Sequence, residues 1–159
     1  MKALLLSISL LAMMATVTSC SSIKSTPETI SNVTKQVEGK DYAIDVRMAN
    51  PLRGRAIPLT YSYELRVKGD SAYAYLPYFG VAQWATYGDT DGGVKFAEPM
   101  KDYSITPNKK QDGWDISFKV DAREHSYEIF LNIFNNGTSS FTVNSPDRDV
   151  ISFNGELKP

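Results

Sequence analysis

Residues 61–80 read YSYELRVKGDSAYAYLPYFG and contain the pattern that decides the fold. Apolar side chains occupy every second position from Tyr61 to Val67, which predicts a strand with one buried and one solvated face. The Gly69-Asp70 pair is typical of a two-residue hairpin turn, and a second strand is predicted over residues 71–76. Pro77 lacks the backbone donor that regular pairing needs, so we expect the second strand to end there.

The same period of two recurs along the chain, for example from Tyr42 to Met48 and from Trp114 to Val120. Short strands joined by turn sequences predict an all-β domain with one short N-terminal helix. We expect an antiparallel meander of about eight to nine strands that closes as a barrel or a two-sheet sandwich, with a lipocalin-like barrel favoured. A barrel of this size can hold one small ligand, whereas a sandwich is filled by its own side chains. The predicted strands lie near residues 42–49, 59–68, 71–76, 94–98, 102–107, 114–121, 126–134, 138–144 and 150–157.

The short helix is predicted over residues 28–39. Thr26-Pro27-Glu28 is a typical helix start, with an N-cap hydroxyl, a proline at the first position and an acid in the first turn. Val33 and Val37 recur at helical spacing, and Gly39 is a natural C-cap. We expect this helix to pack on the β-domain or to lie beside it.

The strand over residues 126–134 differs from the others because it is apolar on both faces. Phe130 and Phe134 alternate with other apolar side chains, so we expect this strand to be central or covered by the helix. Residues 40–159 together are interpreted as a single β-domain.

The first residues have the pattern of a secretory signal peptide. Lys2 is followed by an apolar run over residues 3–17, which is too short for a transmembrane helix. Val17-Thr18-Ser19-Cys20 resembles the bacterial lipobox, in which the peptide is cleaved before the cysteine and the thiol is acylated. We interpret residues 1–19 as a signal peptide and residues 20–27 as a lipidated tether to a membrane. An ordinary cleaved signal and an uncleaved anchor are the alternatives.

The composition limits how the domain can be stabilised and which partners it can bind. Cys20 is the only cysteine, so the mature domain forms no internal disulfide and no cysteine metal site. The formal net charge of −1 gives no electrostatic footprint for nucleic acid, which we exclude as a partner. Ser21-Ser22-Ile23-Lys24 follows the cysteine where surface-exported lipoproteins often carry an acidic run. This favours a location in the bacterial cell envelope, on the outer membrane and facing the periplasm.

Three sequence motifs are candidates for a chemical site. His125 is the only histidine, and without a Gly-x-Ser-x-Gly elbow it is interpreted as an exposed turn residue. Asp89-Thr90-Asp91-Gly92-Gly93 resembles the start of a calcium loop, but Met100 stands in place of the closing glutamate, which favours a Gly-rich turn. Arg53-Gly54-Arg55 either clamps an anionic group or is simply solvated, and solvation is the more common case. We expect no catalytic residue, no metal site and no cofactor.

Aromatic side chains are concentrated between residues 72 and 88. Tyr73 and Tyr75 lie in register with a strand, and we expect them in the core because aromatic residues bury large areas. The aromatic residues after Pro77 fall in an irregular segment, where such side chains often form binding surfaces for sugars and proteins. The predicted ligand-binding residues are Tyr78, Phe79, Trp84 and Tyr87.

Several short motifs follow one another in order along the chain. Leu76-Pro77-Tyr78-Phe79-Gly80 precedes Val94-Lys95-Phe96, and Ile133-Phe134-Asn135-Asn136-Gly137 precedes a final Ile151-Ser152-Phe153-Asn154-Gly155. From about Tyr42 to Leu157, this succession resembles a family of Bacteroidetes lipoproteins that is classed only as a domain of unknown function. The resemblance implies a secreted, mostly β, lipid-anchored domain from a gut-type bacterium. It implies no activity and no ligating residue.

Asp70-Ser71-Ala72 resembles the short acceptor motif of the general O-glycosylation system in such bacteria. The motif lies in a predicted hairpin of an exported protein, so Ser71 is predicted to be a glycosylation site. Such a modification would be a decoration and would not define the function.

Three functional hypotheses remain from the sequence. The favoured one is a non-enzymatic binding or envelope-maintenance domain, with a glycan or an envelope protein as its ligand. The first alternative is a hydrolase on envelope or glycan substrates, which needs two carboxylates that face each other across a pocket. The second alternative is a structural module that pairs with another envelope protein through an exposed edge strand or an apolar patch.

Overall fold

A computed structural model describes residues 25–80, 92–123 and 125–159. The predicted all-β domain with one short helix is confirmed. The elements are α1 (Pro27–Glu38), β1 (Asp41–Pro51), β2 (Ile57–Lys68), β3 (Ser71–Leu76), β4 (Val94–Pro107), β5 (Gly113–Ala122), β6 (His125–Phe134), β7 (Thr138–Ser145) and β8 (Arg148–Leu157).

The eight strands form a closed antiparallel barrel in which each strand pairs with its neighbours in the sequence. Pairing of β1 with β8, from Ile44 opposite Leu157 to Pro51 opposite Ile151, closes the sheet. The predicted barrel is therefore confirmed, and the sandwich is excluded. Closure gives every described strand two neighbours, although β3 pairs with β2 only over Glu64–Lys68.

The barrel has two different ends. At the helix end, α1 leads into β1, β8 finishes, and turns join β2 to β3, β4 to β5 and β6 to β7. At the opposite end, which we call the loop end, the chain passes from β1 to β2, from β3 to β4, from β5 to β6 and from β7 to β8. The loop end consists of the described residues that flank these connections, namely 51–57, 77–80, 92–93, 122–123, 125 and 145–148.

The barrel interior is filled by apolar side chains. Bulky residues such as Phe118, Phe141 and Phe153 are at most 1% exposed, and the rings of Phe141 and Phe153 stack with their centres 5.2 Å apart. No buried apolar residue of the interior is more than 8% exposed. Ala74 and Phe96, at 6% and 8% exposure, line an open groove, whereas Phe118, Phe141 and Phe153 are shielded from water. The barrel is closed like a lipocalin, but its described interior is packed.

Tyr73 and Tyr75 lie outside the barrel, at 44% and 50% exposure, so the expectation that they belong to the core is wrong. The inward positions of β3 are taken by Ala72, Ala74 and Leu76. Ala74 lies opposite the buried Phe96 of β4, and a small residue there leaves interior space for the larger ring. On the outer wall, Tyr75 instead stacks on Tyr63, with ring centres 5.6 Å apart.

Two irregularities in the ladder explain further differences from the predicted strands. The segments near 94–98 and 102–107 are one strand, β4, whose register shifts between Lys101 and Ser104 where Asp102 has a φ of 53°. This bulge changes which sequence positions point into the barrel. The alternation of apolar and polar residues is therefore interrupted, and the sequence predicted two strands instead of one. A second shift, in the pairing of β1 with β2, accompanies Tyr61, which is 77% exposed although its pattern predicted burial.

Helix α1 forms as predicted. The Thr26 hydroxyl accepts a hydrogen bond of 3.2 Å from the backbone N–H of Thr29, and Val33 and Val37 are buried with the barrel core. Phe130 is 47% exposed on the outer wall, so the expected cover by the helix is wrong at this position. Within the described residues, no helix has both the length and the apolar character needed to cross a membrane.

Candidate functional site

Arg148 lies at the centre of the loop end, where it is the first residue of β8 and only 9% exposed. Its Nη1 donates a hydrogen bond of 2.7 Å to the carbonyl of Gly92, just before β4. Its guanidinium carbon lies 5.2 Å from the centre of the Tyr78 ring, within the range of a cation–π interaction. One buried side chain therefore joins β8 to residues on both sides of the β3–β4 connection.

Tyr78, a predicted ligand-binding residue, is held against β8 by its hydroxyl as well as by its ring. The hydroxyl donates a hydrogen bond of 3.2 Å to the backbone carbonyl of Asp149. Burial raises the pKa of the Tyr78 hydroxyl above its ordinary value, so the group stays protonated and able to donate at neutral pH. These contacts fix the segment that presents the next residue, Phe79.

Phe79, also predicted to bind a ligand, remains 38% exposed and contributes to an open groove of about 420 Å³. Both arginines of the Arg53-Gly54-Arg55 motif line the same groove. Their side chains are exposed, and within the described residues neither makes a hydrogen bond or an ion pair. We call this surface the arginine groove; its lining includes Pro51, Arg53, Arg55, Ile57, Phe79 and Asp149.

A second open groove, of about 610 Å³, lies beside the ends of β4, β5 and β6. It contains charges of both signs around a buried aromatic ring. We call it the histidine groove; its lining includes Lys95, Phe96, Glu98, Ala122, Arg123 and His125.

His125 is not the exposed turn residue that the sequence predicted, since its side chain is only 17% exposed. Its Nδ1 lies 3.3 Å from Oδ2 of Asp147, and its Nε2 lies 3.4 Å from Nη2 of Arg148. A guanidinium only donates hydrogen bonds, so Nε2 is the acceptor and the Nδ1–H donates to the carboxylate. β6 begins at His125 itself, which places the ring against the β7–β8 turn and away from solvent.

This arrangement does not form a Ser-His-Asp relay. The nitrogen that would take a proton from a nucleophile faces the guanidinium of Arg148 instead of a hydroxyl. His125 therefore connects the β5–β6 and β7–β8 turns and helps to position Arg148.

The carboxylates of the two grooves are separate. Among the described lining residues, the arginine groove has Asp149 and the histidine groove has Glu98. A glycosidase needs two carboxyl groups across one pocket, and neither described lining supplies such a pair. Within residues 25–80, 92–123 and 125–159, no three His, Cys, Asp or Glu side chains are grouped so as to hold a metal ion.

The other predicted positions lie elsewhere. Ser71 is the first residue of β3, partly exposed at the helix end, and it lines neither groove. Cys20, Trp84, Tyr87 and residues 89–91 of the calcium-like motif lie outside the described residues.

Sequence reasoning missed Arg148 and its neighbours Asp147 and Asp149. The sequence Pro146-Asp147 between two predicted strands is a turn signal that marks this segment as part of a connection. The contact with His125 joins residues that are distant in the chain, and no local pattern indicates it.

Comparison with known proteins shows the fold and the family. The crystal structure of a DUF4251 family protein from Bacteroides eggerthii DSM 20697, at 1.95 Å resolution, is similar, with a TM-score of 0.66. The match covers 87% of this chain and 92% of that chain at 16% sequence identity, which shows likeness of fold alone. No curated protein matches the chain. The sequence model of the domain of unknown function DUF4251 matches residues 24–157, and the chain therefore belongs to this family.

Proposed function

We propose that this chain is a lipid-anchored envelope protein that binds a glycan or another envelope component through the arginine groove, without catalysing a reaction. The observation that carries the proposal is the position of Phe79. This ring stays partly exposed beside two arginines that have no protein partner in the described structure, while Tyr78 and Arg148 fix the segment behind it. A rigidly held, exposed aromatic ring is typical of a binding surface.

The packed interior supports a site on the outside of the barrel. A lipocalin-like ligand would have to displace side chains such as Phe141 and Phe153, which are at most 1% exposed. The free energy needed to open such a core is large compared with ordinary ligand affinities. An open groove at the loop end requires no such rearrangement.

The proposed anchor is compatible with this location. Acylation of Cys20 would tether the protein through residues 20–27 and α1, which joins the barrel at the helix end. The arginine groove lies at the loop end, opposite that junction. We therefore propose attachment to the outer membrane facing the periplasm, with the groove accessible to soluble ligands.

The alternatives have less support. Pairing through an edge strand is less favoured in a closed barrel, where each described strand already has two neighbours. A hydrolase would need a pair of facing carboxylates, which the described linings of the two grooves do not supply.

A glycan array probed with the full-length protein in detergent tests the proposal. Phe79→Ala should remove the binding seen with the wild type, because it deletes the exposed ring of the groove. Phe130→Ala is the matched control, since Phe130 is similarly exposed but lies on the outer wall of β6. Equal loss in both variants, or no loss in Phe79→Ala, would contradict the proposed site.

A further inference from the structure

We propose that the arginine groove selects an acidic sugar, meaning a sugar that bears a carboxylate or a phosphate group; this inference rests on the proposed function of the groove. A neutral sugar would need only the apolar surface around Phe79. The arginines add a requirement for charge, and three features of the groove support it.

The first feature is the lack of partners for Arg53 and Arg55. Two arginines of the outer wall are paired with carboxylates, Arg47 with Asp45 at 2.8 Å and Arg66 with Glu64 at 2.5 Å, whereas Arg123 of the histidine groove makes no ion pair within the described residues. Arg53 and Arg55 have no such partner in the described structure, although they lie on one groove. Their two positive charges outnumber Asp149, the one carboxylate among the described lining residues, so the groove attracts an anion.

The second feature is the backbone between the two arginines. Gly54 has a φ of 114°, a conformation that residues with a side chain rarely adopt. No atom lies within 4 Å of the position that a Cβ would take, so packing does not explain the glycine. We infer that its role is conformational, because this backbone brings both flanking arginines to the same groove.

The third feature is the combination of charge with an apolar surface. Phe79, Pro51 and Ile57 offer apolar contacts for the face of a sugar ring, while a guanidinium fork matches the oxygens of a carboxylate or a phosphate. The volume of about 420 Å³ lies in the range of small-molecule sites. A phospholipid headgroup is disfavoured because the groove lies opposite the end at which the proposed anchor joins the barrel.

Matched sugars test the inference by calorimetric titration of the full-length protein in detergent. Oligogalacturonate supplies the carboxylate, its methyl ester is the neutral partner with the same rings, and mannose 6-phosphate set against mannose tests the phosphate. We expect an acidic sugar to bind about tenfold or more tightly than its neutral partner, the effect of one charge-assisted hydrogen bond. The preference should weaken as salt is added, because the arginines are exposed.

Variants assign the preference to specific residues. Arg53→Gln and Arg55→Gln should each lower the affinity for the acidic sugar about tenfold and leave the affinity for the neutral sugar unchanged. Arg47→Gln, which removes an arginine of the outer wall, is the control and should change neither. Gly54→Ala keeps both charges but disfavours the positive φ that the backbone adopts there. It should therefore also reduce the preference for the acidic sugar over the neutral one.

Three results would overturn the inference in different ways. If acidic and neutral sugars bind equally and Phe79→Ala abolishes both, the inference is wrong and the proposed function survives. If no sugar binds, the inference is wrong and only a non-glycan envelope ligand remains for the proposed function; if binding is unaffected by Phe79→Ala, both are wrong. If anionic phosphatidylglycerol vesicles bind in an arginine-dependent way while no sugar does, the groove contacts a membrane instead.

Discussion

The guanidinium carbon of Arg148 lies over the ring of Tyr78, 5.2 Å from its centre, although the two residues are far apart in the sequence. The same guanidinium donates to the carbonyl of Gly92 and lies beside His125. Arg148 thus contacts the start of β6 and both flanks of the β3–β4 connection. Its side chain therefore links three separate parts of the loop end.

Replacing Arg148 by methionine should destabilise the protein. The substitution keeps much of the side-chain volume but removes the donors to the carbonyl of Gly92 and to Nε2 of His125, so two part-buried acceptors lose hydrogen bonds from a charged group. We expect the free energy of unfolding to fall by about 2–4 kcal/mol in urea titrations. Arg66→Met, an exposed arginine of the outer wall, should cost less than about 1 kcal/mol. Equal effects of the two substitutions would show that Arg148 has no special structural role.

Gly155→Ala should weaken the seam that closes the barrel. A Cβ on Gly155 would lie 2.4 Å from the carbonyl oxygen of Asp45 and 2.8 Å from Cγ2 of Ile44, so β8 would have to move away from β1. We expect thermal or urea unfolding to show a loss of about 1–3 kcal/mol. Asn154→Ala changes the adjacent exposed residue of β8 and should stay within about 0.5 kcal/mol of wild type. A Gly155→Ala protein of wild-type stability would mean that the β1–β8 contact is looser than described.

Tyr42 should make stability fall at alkaline pH. Burial raises the pKa of the Tyr42 hydroxyl far above its ordinary value, and the nearby Tyr103 raises it further. The unfolded chain then loses this proton first, so the contribution is complete below about pH 10 and is lost as the pH rises further.

Tyr42→Phe removes this titration while retaining the ring. Its free energy of unfolding should equal or exceed that of wild type at pH 8, since within the described structure the Tyr42 hydroxyl makes no hydrogen bond of good geometry. Between about pH 10 and pH 11 it should fall less steeply than wild type, by up to about 1.4 kcal/mol per pH unit. Urea titrations at these pH values make the comparison, and parallel curves would show that Tyr42 ionises as readily folded as unfolded.

Much of the fold could be predicted because side-chain alternation is a local property. The strands, the capped helix and the barrel followed from the period of two, the turn residues and the Thr26 N-cap. Membership of a family of unknown function is confirmed, whereas the lipoprotein nature and the Leu-Pro-Tyr-Phe-Gly motif of that family stay predictions. The bulge at Asp102 was missed because it reverses which residues face inward partway along one strand. In the sequence, such a reversal resembles the end of one strand and the start of another. Tyr73 and Tyr75 were assigned to the wrong face because the inward positions hold small alanines, which a preference for large residues in the core does not favour.

The candidate site could be predicted only in part. The segment after Pro77 was recognised from its aromatic residues, and Phe79 does lie on an open groove. That Arg53 and Arg55 share this groove depends on the closure of the barrel, which brings β1 and β2 near β8 and the end of β3. The contact of His125 with Arg148 arises because β6 and β8 both begin at the loop end on either side of β7, so no local motif could reveal it. The lipid at Cys20 stays a prediction.

The central claim is that ligand binds outside the packed barrel, in the arginine groove. Backbone amide chemical shifts of the full-length protein, titrated with the tightest-binding sugar of the panel, test the claim most directly. The account predicts that the largest changes fall on Phe79 and on residues 53–55. The largest changes at Phe141 and Phe153 would contradict it, because they would place the ligand inside the barrel.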